Sequence, residues 1–266
     1  MTVNLNGARV LLTGATGGIG HAIARALHAR GAELILTGRR AEVLGELAAE
    51  IGGTTVACDL SDPAAVSKLM DEVGDIDVLV ANAALPGVGA MVDYTEEGID
   101  RDLDVNLRAP IVLTSWATKQ MLPRGRGHIV LIGSLSGRAA SPLSSMYNAT
   151  KFGLRGFALA HRDDLHGTGV GISVVEPGFV SDAGMFADSG MPLPKGVKAV
   201  PPEKVAAKVV RAIDKNLGEV MVAPTSLKLL SAVALVAPGL ASALGRKAGA
   251  GDIIGSHKSL NQGENP

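Results

Sequence analysis

Seven short apolar runs, separated by stretches of helical periodicity, constrain this chain more than any other feature. They are Val10 to Leu12, Glu33 to Thr37, Thr54 to Asp59, Ile76 to Val80, His128 to Ile132, Gly169 to Val175 and Glu219 to Val222. Strands that are apolar along their whole length are buried on both faces, and strands that alternate with helices pair in parallel. The pattern predicts an α/β fold: a doubly wound parallel sheet with helices on both faces. Such sheets bind ligands in the crevice at the carboxyl ends of their strands. With 266 residues, 47 % of them hydrophobic, the chain can bury one large core and reads as a single domain.

The first run ends in Thr13 to Gly20, followed by the helical pattern Ala22, Ile23, Ala26 and Leu27. Strand, glycine-rich turn and helix form the setting of a dinucleotide-binding loop. Glycines let the backbone approach a pyrophosphate, and the helix N-terminus offers unpaired N–H groups. Gly14, Gly18 and Gly20 give the spacing Gly-x-x-x-Gly-x-Gly, with Thr16 and Ile19 in the same turn; an ordinary strand-to-helix turn is the competing reading. Past the next strand, an acidic residue would hold the ribose of NAD, whereas an arginine would accept the 2′-phosphate of NADP. Gly38, Arg39 and Arg40 stand there, which favours NADP(H) over NAD(H), with Arg39 as phosphate ligand and Arg40 as support. Two solvated arginines at a helix start are the alternative. Asp59, with Leu60 after it, ends the third strand where it either meets an adenine or serves as a turn carboxylate. Asp62 and Pro63 read as a helix cap, and Asn82 and Ala83 follow the fourth strand.

Residues 134 to 151 most need a chemical explanation. Tyr147 and Lys151 stand four apart near the start of a helix expected over 145–165, so they share one face; Ser134 follows the fifth strand. A tyrosine titrates near 10, and about 4 kcal/mol would bring it to about 7. A unit charge about 4 Å away supplies that much at an effective dielectric of about 20. Lys151 is therefore expected to depress the phenol of Tyr147, although the pair alone is a weak signal. Asn106 lies inside a helix expected from Thr95 to Leu122, an unusual place for a side chain that competes with the backbone.

A net charge of −1 without a basic cluster offers no footprint for nucleic acid. The single cysteine, Cys58, excludes a disulfide framework and a cysteine-rich metal site, and reads as a small buried hydrophobe. The N-terminus lacks a charged leader with an apolar core, so the expected location is cytoplasmic.

With these positions in place, residues 5 to 225 resemble the short-chain dehydrogenase/reductase superfamily. Four motifs carry the resemblance: Thr13 to Gly20, Asn82-Ala83, Ser134 thirteen residues before Tyr147-x-x-x-Lys151, and Pro177-Gly178 after the sixth strand. The resemblance implies a Rossmann-like fold and a hydride transfer between NADP(H) and a secondary alcohol or carbonyl. It implies that Tyr147 is the general acid/base, that Ser134 bonds the substrate oxygen, and that Lys151 holds the nicotinamide ribose and lowers the tyrosine. Asn106 would anchor a water leading to the lysine, and Pro177, Gly178 and Val180 would border the cofactor. A homodimer or homotetramer is implied too. The chain departs from the family pattern at Ala81 to Ala84, at Gly133 where a second serine is common, and at Asp182 where a threonine is usual. A catalytically silent cofactor-binding sensor or scaffold is the rival reading.

The expected organisation is a catalytic unit over 1–225 with a substrate loop at 181–200, an apolar helical segment at 226–244, and a disordered tail at 245–266. The stretch 227–244 is broken at Pro238-Gly239 and too short for a membrane span. It either packs over the substrate pocket or a subunit contact, or lies as a peripheral segment on a membrane surface. The apolar character of this segment and of the loop favours a hydrophobic carbonyl substrate.

Overall fold

The computed structural model describes residues 2–181, 193 and 198–247. The apolar runs become β1 (Arg9–Thr13), β2 (Glu33–Gly38), β3 (Thr54–Ala57), β4 (Val78–Ala81), β5 (Gly127–Ile132), β6 (Val170–Pro177) and β7 (Glu219–Val222). All pair in parallel in one sheet of order β3-β2-β1-β4-β5-β6-β7. The helices between and after them are α1 (Gly18–His28), α2 (Ala41–Ile51), α3 (Pro63–Val73), α4 (Glu96–Leu103), α5 (Ala109–Arg124), α6 (Ser145–Asp164), α7 (Pro202–Lys215), α8 (Thr225–Val236) and α9 (Pro238–Lys247).

Strand side chains point alternately to the two faces, and each face builds its own core. On one side Val10, Leu12, Leu36 and Val80 pack under Ile23 and Leu27 of α1, Leu44 of α2 and Val209 of α7. On the other, Leu11, Leu79, Ile129 and Leu131 meet Leu69 of α3, Leu113 and Met121 of α5 and Leu154 of α6. Strand order reverses between β1 and β4, which opens a crevice where the glycine-rich turn leaves the sheet.

Besides shifts of one or two residues at strand ends, three features differ from the sequence expectation. β3 ends at Ala57, because Asp59 turns back to accept from the amide and hydroxyl of Ser61. The helix expected from Thr95 to Leu122 is interrupted by a π turn over Asp104–Arg108, centred on Asn106, and Pro110 starts the helix beyond it. α9 runs to Lys247, so the first residues of the expected tail are helical; the rest of the tail lies outside the described residues. Most of the expected substrate loop, including Asp182, also lies outside them. Its ends are joined by a bridge between Val180 and Val200, with Ser181 donating to the Val200 carbonyl and Val200 to that of Phe179. Among the described residues no helix is long and apolar enough to cross a membrane.

Candidate active site

The crevice is assembled around Thr13. Its hydroxyl accepts from the amides of Asn82 and Ala83 at 3.0 and 3.1 Å, tying the end of β4 to the end of β1. The Asn82 amide returns two bonds, to the Thr13 and Gly14 carbonyls. These bonds draw the chains so close that a Cβ on Gly14 would lie 2.6 Å from Ala83 Cα; one on Gly20 would lie 2.2 Å from the Gly14 oxygen. Gly14 also needs its φ of +64°. Around this contact a cleft of about 310 Å³ has Gly14, Thr16, Gly18, Ile19, Gly20, Arg39, Asp59, Leu60, Asn82 and Ala83 among its lining residues. Arg40 donates to the Thr16 carbonyl and braces the turn. Cys58 borders the cleft too, and burial pushes its thiol up to about 11. It is no thiolate at neutral pH.

The residues fit a phosphate-bearing ligand. α1 starts at Gly17 without a side-chain cap and without an acid in its first turn, so its amides face the cleft unclaimed. Arg39 adds a cation at the far rim.

Ser134, Tyr147 and Lys151 meet past the end of β5. The Ser134 hydroxyl accepts from Ser136 N and pulls the pKa of the neighbouring Tyr147 phenol down. Lys151 is 2 % exposed, donates to the Ile132 carbonyl at 2.9 Å, and sits 5.5 Å from the centre of the Tyr147 ring. Burial lowers its ammonium to about 8. Burial also raises the phenol of Tyr147, against the pull of Ser134. Desolvation acts in the direction opposite to the depression expected from the lysine charge. Asn106 is fully buried, and its side chain exchanges two bonds with the Leu85 backbone, at 2.6 and 2.9 Å. It fixes the loop after β4, and the π turn puts neighbouring Val105 in the cleft wall. Pro177, Gly178 and Val180 lie beyond the cleft: Gly178 bonds Val222 and packs against Leu135, Ala223 and Leu227.

The profile of the short chain dehydrogenase family matches residues 8–191. The chain is a short-chain dehydrogenase. It is 37 % identical over 248 residues to the ketoacyl reductase HetN of Nostoc sp., covering 88 % of this chain and 86 % of that one. It is 31 % identical to the dehydrogenase/reductase SDR family member 7B of Bos taurus over 90 % of this chain and 81 % of the relative. Among solved structures it is similar to a short-chain dehydrogenase from Sphingobium yanoikuyae in complex with NADPH. That likeness has a TM-score of 0.76 and 26 % identity, covering 88 % of this chain and 95 % of that one.

In this short-chain dehydrogenase several supporting residues escape a reading of the sequence. Asn148, next to Tyr147, donates to the carbonyls of Ser136 and Ala139 and accepts from Ser141 N, holding the serine loop against α6. Arg138 on that loop pairs with the fully buried Glu176 of β6 at 2.7 Å and with Glu219 of β7; Arg155 of α6 joins Glu219 at 2.7 Å. The clue to the second group is an acid ending an apolar strand, which needs a partner to be buried. The first left no clue, because an asparagine in a helix is ordinarily solvated.

Asn148→Ala removes three bonds that set the serine loop beside Tyr147. Turnover is expected to fall by about tenfold or more through displacement of Ser134. Dinucleotide affinity stays within twofold, as measured by steady-state kinetics and fluorescence titration. Unchanged turnover would show that the loop holds its place without Asn148.

Proposed function

We propose that this oxidoreductase reduces a ketone with NADPH, with Tyr147 as the proton donor. The observation that carries the proposal is a half-buried phenol with a buried ammonium 5.5 Å from its ring centre, alongside a cleft suited to a dinucleotide. Arg39 at the rim supports NADP(H) over NAD(H), in keeping with the NADPH-bound relative. A dinucleotide held in the cleft by the turn after β1 and by Arg39 would supply a hydride to the carbonyl carbon. Ser134 donates a hydrogen bond to the carbonyl oxygen, and Tyr147, a neutral acid because burial raises it, delivers the proton there. Lys151, cationic below about 8, stabilises the phenolate left behind. Likeness to the ketoacyl reductase favours a ketone on an acyl chain as substrate.

The division into a catalytic unit over 1–225 and an apolar appendage after it belongs to the same proposal. α8 turns small residues inward, with Ser231 and Ala234 buried, and large ones outward: Leu229, Leu230 and Leu235 are exposed and Val236 is 85 % exposed. Leu240 of α9 is exposed as well. No Asp or Glu occurs from 225 to 250, whereas Lys228, Arg246 and Lys247 do. We infer that this face lies on an anionic lipid surface, which matches its exposed apolar side chains and the basic, acid-free sequence of the segment.

Four measurements test these readings. Tyr147→Phe is expected to lower NADPH-dependent ketone reduction by about a hundredfold or more. Arg39→Ala weakens NADPH binding by about ten- to a hundredfold while leaving NADH binding unchanged. Normal turnover by Tyr147→Phe would overturn the mechanism, and binding of dinucleotide without turnover of any ketone would favour a silent sensor. The rate of reduction should also decline as pH rises through about 8, where Lys151 loses its charge; a rate that climbs across that range would refute the role given to Lys151. In vesicle flotation the full chain should rise with phosphatidylglycerol vesicles, and Leu230→Glu with Val236→Glu should abolish this. A dimer that covers these side chains and ignores vesicles would overturn the lipid reading.

A further inference from the structure

Tyr147 is positioned from a direction the reaction itself does not involve. α6 begins at Ser144 without a side-chain cap, so the amides of its first turn need partners from elsewhere. The Gly87 carbonyl faces Tyr147 N at 3.4 Å, and Gly89 N donates to the Leu143 carbonyl at 2.8 Å, just before the helix. The turn at 87–89 therefore stitches the loop after β4 to the segment that delivers the catalytic tyrosine. Leu143 carries a positive φ of 57° there, a conformation that a branched residue keeps only when its surroundings hold it.

What fixes the turn is a pair of side chains from the next element. The Tyr94 hydroxyl donates to Oδ2 of Asp102 at 3.2 Å. Asp102 belongs to α4 and is 7 % exposed, so this bond is made away from water. Both side chains close on the turn. A Cβ on Gly87 would lie 3.0 Å from Asp102 Oδ2 and equally 3.0 Å from Tyr147 N, and one on Gly89 would lie 3.2 Å from the Tyr94 ring. Gly87, with φ of +51°, is squeezed between the carboxyl and the first turn of α6. At its other end the same loop is held by the bonds between Asn106 and Leu85. Removing the Tyr94–Asp102 contact frees only the end that touches Tyr147.

We propose that Tyr94 and Asp102 are positioning residues for Tyr147, acting through the turn at 87–89. The proposal rests on the role given to Tyr147 above, and it concerns geometry rather than proton transfer: neither side chain touches the reacting atoms. Tyr94 thereby acquires a function distinct from that of Tyr147, although the chain has only two tyrosines.

The test uses the full chain and the variants Tyr94→Phe, Asp102→Ala and Asp102→Asn. Two readouts are taken on each: amide hydrogen exchange at Gly89 and Tyr147, which needs no turnover, and the separate values of kcat, ketone KM and NADPH Kd. In Tyr94→Phe and Asp102→Ala, exchange at both amides is expected to accelerate at least fivefold. In the same two variants kcat should fall about tenfold or more with NADPH Kd within twofold. Asp102→Asn still accepts from the Tyr94 hydroxyl, so it should recover most of kcat. Unchanged exchange would overturn the proposal, as would kcat and NADPH affinity falling together, which marks general loss of structure. Failure of Asp102→Asn to recover kcat would overturn it too. Tyr147→Phe run alongside separates the two readings: if that variant turns over normally the acid role fails, while the exchange data still judge the clamp.

Discussion

The site depends on keeping one lysine amine out of water. A charged amine is costly to bury, and Lys151 is covered almost completely while bonded to a single main-chain carbonyl at the end of β5. That bond requires α6 to cross the sheet edge at close range. It does so because Leu154 and Ala158 on the same helix join the core beneath, and because Gly137 carries no side chain where the Lys151 carbonyl passes. A Cβ at Gly137 would lie 2.7 Å from that carbonyl. The same approach carries Tyr147 to Ser134, so one helix placement sets all three groups.

A second constraint runs through the serine loop. Gly133 stands where related chains often have a serine, and its neighbours explain why a side chain does not fit. A Cβ there would lie 2.9 Å from Val174 and 3.2 Å from Glu176 Cγ. Glu176 in turn occupies that space because Arg138 draws its carboxylate inward, where desolvation raises it and the guanidinium opposes the rise. The two arginines and two glutamates lock the serine loop, α6, β6 and β7 into one body. Such a cluster contributes more to a fixed arrangement than to net stability, since each ion loses its hydration.

Most of the fold was legible because strand burial on both faces writes itself as uninterrupted apolar runs. Glu219–Val222, for example, appears with the ends its sequence implies. The place of the crevice was legible for a related reason: parallel topology brings the strand ends, and the turns that leave them, to one edge. What was not legible depends on contacts between distant positions. Thr13 and Asn82 stand in motifs visible in the sequence, but their mutual bonds form only once the sheet has formed, and nothing in its local composition marks Asn148 as a partner of Ser136. For Tyr147 a pairwise charge estimate includes the lysine and omits desolvation, which acts in the opposite direction. The break at Asn106 was visible as an oddity, yet its cause, two bonds to Leu85, lies 21 residues away.

The π turn at Asp104–Arg108 has a consequence for how this segment can vary. An extra residue in one helical turn rotates everything after it by about 100° relative to what came before. α4 therefore aims Asp102 at the turn beside Tyr147, while α5 independently aims Leu113, Ala117 and Met121 at the sheet. An unbroken helix would have to trade one alignment against the other. The bulge works as a phase shifter between two stretches of chain, so that α4 is free to change its register toward a different loop without repacking the core that α5 completes. Loss of a single residue here would put the two stretches back in step, and with them two demands that one regular helix does not meet together.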